Sequence, residues 1–420
     1  MPVLRFSACR EGEKGNQISH MTVFGEASPG QLEDDARKSP LTFDNLTQQN
    51  RPPFFEQPIF SDDRPFAEHI QALPVEALGD PDAPVIVFVH GYMFDVRDER
   101  PEPFLRTATD NPHVLVYHFE EPASVDLERR RHHTPWLARA FFDDGKGEEA
   151  DCDGLAVCWG YDGSGDTKRL ISIRNPTGRP ANSYELAYRD SGYYGQGLAA
   201  AISQLVRRLD GAGQSHRQID IISHSLGTRT ALKALETLAH RFPAPVSDPA
   251  IERVGKVLLL AGACQWYQAG TALERLIRSG ATKLPEIYNI ISKDDEVVRV
   301  LGARFSLSAA REEAGASKGD ISRLWEAIVG GKTVGIEGKP DGGYTNGKRY
   351  APWIDIDLDA KAVRDWGAAR GLDLLGDAGQ NQKDHWVHFT HAPNWELYRR
   401  ILRSAPGYTL PELQASLPGV

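Results

Sequence analysis

Hydrophobic residues in this chain form short continuous runs, and several of these runs are followed by segments with helical spacing. The runs are rich in β-branched and aromatic residues, which is typical of strands buried on both faces of a parallel sheet. They cover 85–89, 114–119, 155–159, 219–222, 254–261 and 287–291. Apolar residues spaced at three and four predict helices over 195–209, 228–241 and 272–277. Strands alternating with helices predict an α/β protein with a mostly parallel, doubly wound sheet flanked by helices.

The stretch 24–84 differs from the rest of the chain because it is rich in Pro, Asp and Gln and has no sustained apolar period. This composition favours an irregular N-terminal arm over 1–83. Short edge strands are expected within it, near 3–8 and 69–76.

The main domain is predicted over 84–403, with a C-terminal tail over 404–420. Two stretches interrupt its alternation of strands and helices, 120–154 and 306–383. Long connections of this kind are often functional, so both are expected to be insertions that form caps or lids over a cleft.

Composition narrows the class of protein further. Hydrophobic residues make up 40% and charged residues 25% of the 420 residues, as in an ordinary globular protein. Lys and Arg number 48 against 58 Asp and Glu, a net charge of −10 that argues against a nucleic-acid partner. The apolar runs are far shorter than the roughly 20 residues of a transmembrane helix. The start of the chain lacks the pattern of a secretory signal, which favours a cytoplasmic location, and the four scattered cysteines are expected to be reduced.

The segment most informative about chemistry is the apolar run 219–222 followed by Ser223-His224-Ser225-Leu226-Gly227 and a helical pattern. A serine between small residues at a strand-to-helix turn is the pattern of a nucleophile elbow. The sharp turn exposes the hydroxyl, and the N-terminus of the next helix favours negative charge nearby. Ser225 is therefore the predicted nucleophile. Ser223 stands where glycine is usual, which is a mild departure because serine is also small.

With this motif the chain resembles the α/β-hydrolase superfamily over about 84–402. The sequence Phe88-Val89-His90-Gly91-Tyr92 is similar to the family's strand and His-Gly turn. The resemblance implies an α/β-hydrolase fold with cap or lid insertions, and an oxyanion hole formed by the backbone amides of Tyr92 and Leu226. Met93 is the alternative to Tyr92.

The family order of nucleophile, acid and histidine places the acid after a strand that follows the elbow. The run 287–291 leads into Ser292-Lys293-Asp294-Asp295-Glu296. Asp295 is the preferred acid because the Asp-x-Val-Val pattern after it is similar to the family's acid loop. Asp294 is the alternative, and Glu296 is less favoured.

The base is expected near the C-terminus, where His385, His388 and His391 lie close together before a helical pattern. His385 is the preferred base, His388 the alternative and His391 the third choice. An imidazole can accept the serine proton through one nitrogen while the other donates to a carboxylate.

Weaker patterns do not change this interpretation. Residues 162–166 resemble a calcium loop but lack further acidic ligands. The histidines are not spaced with Cys or Glu as in a zinc site, so neither a metal nor an organic cofactor is expected. Trp159 and Tyr161 could line a cleft or pack in the core. Trp159, together with Tyr184, Tyr188 and Tyr193, adds to the similarity to bacterial α/β-hydrolases of uncharacterised function.

The resemblance implies a serine hydrolase that cleaves a small-molecule carboxylic ester through an acyl-enzyme. A lipase is an alternative, suggested by the aromatic stretch 136–142 in a possible lid. Acyl transfer to an alcohol is a second alternative, and a binding or regulatory protein that keeps the hydrolase scaffold without turnover is a third. The sequence leaves open the acyl group, the choice between an ester and an amide substrate, and the oligomeric state.

Overall fold

A computed structural model describes the following parts of the chain, and all structural statements below refer to them: 3–8, 70–71, 73–92, 94, 112, 116–117, 136–141, 154–161, 163, 183–240, 247–295, 297–299, 333–338, 352–374 and 385–417.

The described residues contain seven β-strands and nine α-helices. The strands are β1 (Val3–Ala8), β2 (Val85–Val89), β3 (Leu155–Tyr161), β4 (Ile219–His224), β5 (Val254–Leu260), β6 (Glu286–Ile291) and β7 (Trp353–Asp357). The helices are α1 (Trp136–Phe141), α2 (Ser183–Gly211), α3 (Gly227–Ala239), α4 (Trp266–Arg278), α5 (Val334–Glu337), α6 (Lys361–Ala368), α7 (Val387–Thr390), α8 (Ala392–Leu402) and α9 (Leu410–Ser416).

The strands form one sheet in the order β1-β3-β2-β4-β5-β6-β7. Strands β1 and β3, β3 and β2, β5 and β6, and β6 and β7 pair in parallel. After β2 the chain turns to β3, whereas after β4 it turns to β5 on the other side. The carboxyl ends of strands at such a reversal are where open α/β sheets bind ligands.

The chain divides into two compact units. The first comprises 1–90, 94–162 and 200–221, and the second comprises 91–93, 163–199 and 222–420. Strand β4 and helix α2 each contribute to both units. Residues 91–93, which follow β2 after His90, and the residues after β4 belong to the second unit.

In the first unit, β1, β3 and β2 bury aromatic and branched side chains. Phe6 is paired with Trp159 in register, and their rings lie 5.9 Å apart. Helix α1 buries Trp136 and Phe141, and the Phe141 ring packs 6.1 Å from that of Phe88. The described side chains of α1 are therefore largely part of this core.

In the second unit, β5, β6 and β7 continue the sheet with helices α3 and α4. Helix α4 is joined to α3 by an ion pair between Arg275 and Glu236. Burial of apolar faces on strands and helices gives the hydrophobic stabilisation of this unit. Helix α9 buries Leu410 and Leu413, so the segment expected to be a tail contains a packed helix.

The structure confirms the α/β class and the strands predicted over five of the six apolar runs. The prediction of a strand over 114–119 is wrong where it can be compared, because Val116 and Tyr117 lie in a turn and a bend. Tyr117 contributes to the apolar run because its side chain is fully buried, although it is not in a strand. Its hydroxyl accepts the His90 N–H at 2.8 Å and lies 3.0 Å from the carbonyl oxygens of both Phe88 and Trp159, which share its single hydrogen.

Two further differences concern the arm and the second insertion. The segment expected to hold a strand near 69–76 instead has helical turns at Ile70 and Gln71 and over Val75–Leu78. The range 306–383 was expected to be an insertion, but it contains the sheet strand β7 and helix α6. The strand predicted near 3–8 in the arm is confirmed and is β1.

Two other expectations can be compared with the described residues. Cys158 and Cys264 are buried and are not joined to each other in a disulfide. None of the helices that the structure describes is long and apolar enough to cross a membrane.

Candidate active site

Ser225 occupies a strained turn between β4 and α3. Its φ angle is 54°, a left-handed conformation that costs a residue with a side chain about 1–3 kcal/mol. Backbone hydrogen bonds hold it there: its N–H donates to the Leu260 carbonyl at 2.9 Å, and its carbonyl accepts from Thr228 at 3.1 Å and Ala263 at 3.0 Å. The residue predicted as nucleophile thus has the backbone geometry of a nucleophile elbow.

Gly91 allows the turn after β2 to approach this serine closely. A Cβ atom at position 91 would lie 2.8 Å from the Ser225 Cβ and 3.1 Å from the His224 carbonyl oxygen. Such distances leave no room for a side chain, so glycine is required for the approach. Ser223 fits in the usual glycine position because its buried hydroxyl donates to the Leu258 carbonyl at 3.3 Å.

The two residues predicted to form the oxyanion hole lie beside Ser225 with a group of aromatic rings. Leu226 is fully buried and packs with Tyr184 and Tyr188, and Tyr92 packs against the same cluster. The ring of Tyr92 meets that of Tyr184 edge-on at 5.1 Å. Within the described part of the chain, the Leu226 N–H has no acceptor, as expected next to a helix N-terminus. Met93, the alternative donor, lies outside the described residues.

Asp295 and His385 form a buried pair. Nδ1 of His385 lies 2.6 Å from Oδ2 of Asp295, and the two side chains are only 2% and 1% exposed. The other carboxylate oxygen, Oδ1, accepts the Val298 N–H at 2.9 Å. Burial alone would raise the pKa of Asp295, but the His385 charge and hydrogen bond, with smaller effects of His388 and Val298, hold it below its ordinary value. The carboxylate is therefore ionised and able to orient the imidazole.

The alternative acids are not arranged in this way. Asp294 is exposed, and its backbone N–H donates to the carboxylate of Asp359 at 3.0 Å. Glu296 lies outside the described residues. The structure thus pairs His385 with Asp295, the preferred of the three acids.

His224 connects the serine to the His385–Asp295 pair. Among the described residues no hydrogen bond joins Ser225 Oγ to His385. Instead the ring of His224, the residue before Ser225, packs 4.5 Å from the His385 ring, and its Nε2 lies 3.3 Å from the His385 carbonyl. Hydrogen bonds between catalytic groups are often long without substrate and tighten in the complex.

The other two histidines have different surroundings. His388 is fully buried, and within the described residues neither ring nitrogen has a hydrogen-bond partner. Burial lowers its pKa to about 4, against a smaller opposing effect of Asp295. His391 lies just before α8, and its Nε2 is 2.6 Å from the Asp373 carbonyl. Only His385 combines a carboxylate partner with contact to the elbow.

Sequence reasoning missed a buried polar network beneath the aromatic rings. The Tyr188 hydroxyl donates to Gln268, which also accepts from Nε of Arg229 at 3.2 Å. The Arg229 guanidinium lies 4.3 Å from the centre of the Tyr188 ring and donates to Ser191 at 2.8 Å. This network links α2 and α4 to α3, and its Tyr188 ring packs against Leu226. An arginine four residues after the nucleophile, in the first turn of α3, is the sequence signal that could have indicated it.

The remaining predictions concern cleft residues and metals. Trp159 and Tyr161 are fully buried in the first unit, where Tyr161 stacks on His90 with ring centres 4.2 Å apart. They therefore have a packing role. Of the possible calcium loop 162–166, only Gly163 is described. Across the ranges the structure describes, no group of three or more His, Cys, Asp or Glu residues could hold a metal ion.

We compared the sequence with known protein families and with curated proteins. No model of a known protein family matches the chain, and a search of curated proteins finds no similar sequence.

Proposed function

We propose that this protein is a serine hydrolase of the α/β-hydrolase type that cleaves carboxylic esters through an acyl-enzyme. The observation that carries the proposal is the left-handed Ser225, one residue from a histidine ring that packs on the buried His385–Asp295 pair. The order along the chain supports it. Ser225 follows β4, Asp295 follows β6 and His385 follows β7, which is the order nucleophile, acid, histidine of that superfamily.

In the proposed mechanism Ser225 Oγ attacks the carbonyl carbon while Nε2 of His385 accepts the hydroxyl proton. Asp295 holds Nδ1 and stabilises the imidazolium that forms. The oxyanion of the tetrahedral intermediate accepts hydrogen bonds from the Leu226 and Tyr92 amides. Each such donor contributes about 10²- to 10³-fold to kcat.

The acyl-enzyme then forms and is hydrolysed with the same residues. His385 returns its proton to the leaving alcohol as the bond to the acyl carbon breaks. It next accepts a proton from water that attacks the acyl-enzyme. Collapse of the second tetrahedral intermediate releases the carboxylic acid and returns the proton to Ser225, so that atoms and charges balance over the cycle.

No observation favours the lipase alternative, because the described side chains of α1, in the suggested lid, are mostly buried in the first unit. Acyl transfer uses the same acyl-enzyme with an alcohol in place of water. Adding competing alcohols and analysing the products separates transfer from hydrolysis.

The proposal is tested by labelling the folded protein with a fluorophosphonate and locating the adduct by mass spectrometry. We expect one adduct on Ser225, lost in Ser225→Ala together with hydrolysis of p-nitrophenyl esters from acetate to palmitate. Ser404→Ala is the matched control, because Ser404 also has a left-handed φ of 49° but is exposed at the end of α8. An unlabelled wild type, or a Ser225→Ala variant with full activity, would contradict the proposal. The unlabelled outcome would favour a binding protein on a hydrolase scaffold.

A further inference from the structure

His224 makes contacts that the proposed mechanism does not use. It is fully buried at the end of β4, immediately before the nucleophile. Its Nε2 lies 3.3 Å from the backbone carbonyl of His385. A carbonyl can only accept, so the His224 ring must carry its proton on Nε2 and donate it.

The His385 backbone and ring are each anchored once within the described chain. The ring is bonded to Asp295, and the carbonyl is bonded to His224. The Asp295 bond restrains one nitrogen of the His385 ring, but it does not directly restrain the His385 backbone. The His224 bond fixes the backbone itself, and it starts from the residue next to Ser225.

The packing around His224 also restrains His385. Its ring lies 4.5 Å from the His385 ring, 5.8 Å from that of Trp386 and 4.7 Å, edge-on, from that of Phe389. On the other side, a Cβ atom at Gly91 would lie 3.3 Å from the His224 Nδ1. The ring is therefore confined between the turn after β2 and the segment that carries the base, and it cannot reorient without displacing one of them.

We propose that His224 is a positioning residue that holds the backbone of His385 at the height of the Ser225 hydroxyl. This inference rests on the proposed hydrolase function and adds a residue to it. The elbow fixes Ser225 and His224 as one rigid unit, so the His224 bond transmits the position of the nucleophile to the base. A displacement of about 1 Å between reacting groups can lower a rate by about 10²-fold.

Two substitutions separate the hydrogen bond from the packing. His224→Phe keeps a ring against His385 and Phe389 but removes the donor. His224→Gln keeps an N–H donor at a position similar to Nε2. If His224 positions His385, the Phe variant loses about tenfold in kcat, as expected for one net hydrogen bond acting on geometry, with KM changed less than twofold. The Gln variant recovers to within about threefold of the wild type.

The measurement is kcat and KM for one p-nitrophenyl ester, together with the rate of fluorophosphonate labelling, on variants with native circular dichroism. His391→Phe is the matched control, because it removes another histidine-to-carbonyl contact, that with Asp373, and should leave kcat and the labelling rate unchanged. If His224→Phe does not fold, His224→Met replaces it as a donor-free variant of similar volume.

The outcomes distinguish this inference from the function on which it rests. A wild type that neither labels nor turns over overturns both. A wild type that labels while the Phe or Met variant reacts equally fast overturns the role of His224 alone. Equal losses in the Gln and Phe variants would mean that packing, not the hydrogen bond, is what matters, and would also overturn it.

Discussion

The two compact units each contain a deeply buried histidine, and the contacts of these two side chains differ in kind. His90, in the first unit, accepts the Tyr161 N–H at Nε2 at 2.9 Å, stacks on the Tyr161 ring and accepts the Tyr161 hydroxyl at its carbonyl. These partners are neutral. His385, in the second unit, has a carboxylate on Nδ1. Because His90 accepts at Nε2, it must be neutral there, whereas a carboxylate stabilises the imidazolium that a general base becomes.

This comparison teaches that burial alone does not identify a catalytic histidine. Nε2 of His90 accepts a backbone N–H from β3 just after β2, so this nitrogen holds two strand ends together. A histidine with one nitrogen on an ionised carboxylate is prepared to gain and lose a proton. The group that the ring nitrogen bonds, a backbone N–H or a carboxylate, separates the two histidines better than the exposed fraction does.

The strongest way to break the comparison is to remove each ring in turn. If His385 is the proposed base, His385→Ala should lower kcat by about 10⁴-fold or more while the protein remains folded. His90→Phe should keep turnover per folded molecule within a few-fold but lower the free energy of unfolding by about 1–3 kcal/mol, since the buried Tyr161 N–H loses its acceptor. Ester hydrolysis and urea unfolding measured on both variants check this. Similar kinetic losses in the two variants would remove the distinction.

The carboxylate can be tested next without removing any atom of the imidazole. Asp295→Asn keeps the side-chain shape but removes the charge that orients His385, and should lower kcat by about 10³- to 10⁴-fold. Asp294→Asn is the matched control, because its exposed side chain has no such role, and it should change kcat less than twofold. Kinetics of both variants under identical conditions decide the matter, and the opposite ranking would assign the acid to Asp294.

The sequence predicted the parts of the fold that are buried on both faces and missed those that are not. Strand β7 escaped because Asp355 and Asp357 alternate with apolar residues and are only partly buried, so its run is not continuous. The strand predicted over 114–119 is wrong at Val116 and Tyr117, and there the apolar pattern has another cause. The Tyr117 side chain is buried, with its hydroxyl against the carbonyls of Phe88 and Trp159 on two neighbouring strands. A run of hydrophobic residues indicates burial. It also indicates a strand only where the strand is buried on both faces.

The candidate site divides in the same way. The elbow at Ser225 is a local pattern, because turn, strand and helix are all encoded by neighbouring residues. The choice between Asp294 and Asp295, or among His385, His388 and His391, depends on which side chain faces a partner distant in sequence. The roles of His224 and Arg229 depend on tertiary contacts entirely. Such pairings are set by packing of distant segments, which periodicity does not report.

His388 sharpens the comparison because it is a buried histidine with neither kind of partner among the described residues. Burial lowers its pKa to about 4 from an ordinary value of 6.5. The unfolded chain therefore takes up a proton at this residue as the pH falls through 6.5, but the folded chain does so only near pH 4. Because the unfolded state binds more protons across that window, the folded state loses stability as the pH falls from about 6.5 to about 4, by up to about 3 kcal/mol.

Replacing His388 by leucine should remove this contribution. The free energy of unfolding, measured in urea at several pH values between 7 and 4.5, should fall less steeply with acid in His388→Leu than in the wild type. Phe389→Leu is the matched control, since it alters a neighbouring buried ring on α7 that does not titrate and should shift stability by the same amount at every pH. An unchanged acid slope in His388→Leu would mean that a partner already offsets the effect of burial on the pKa of His388. His388 would then be grouped with the hydrogen-bonded His90 and would not be a third kind of buried histidine.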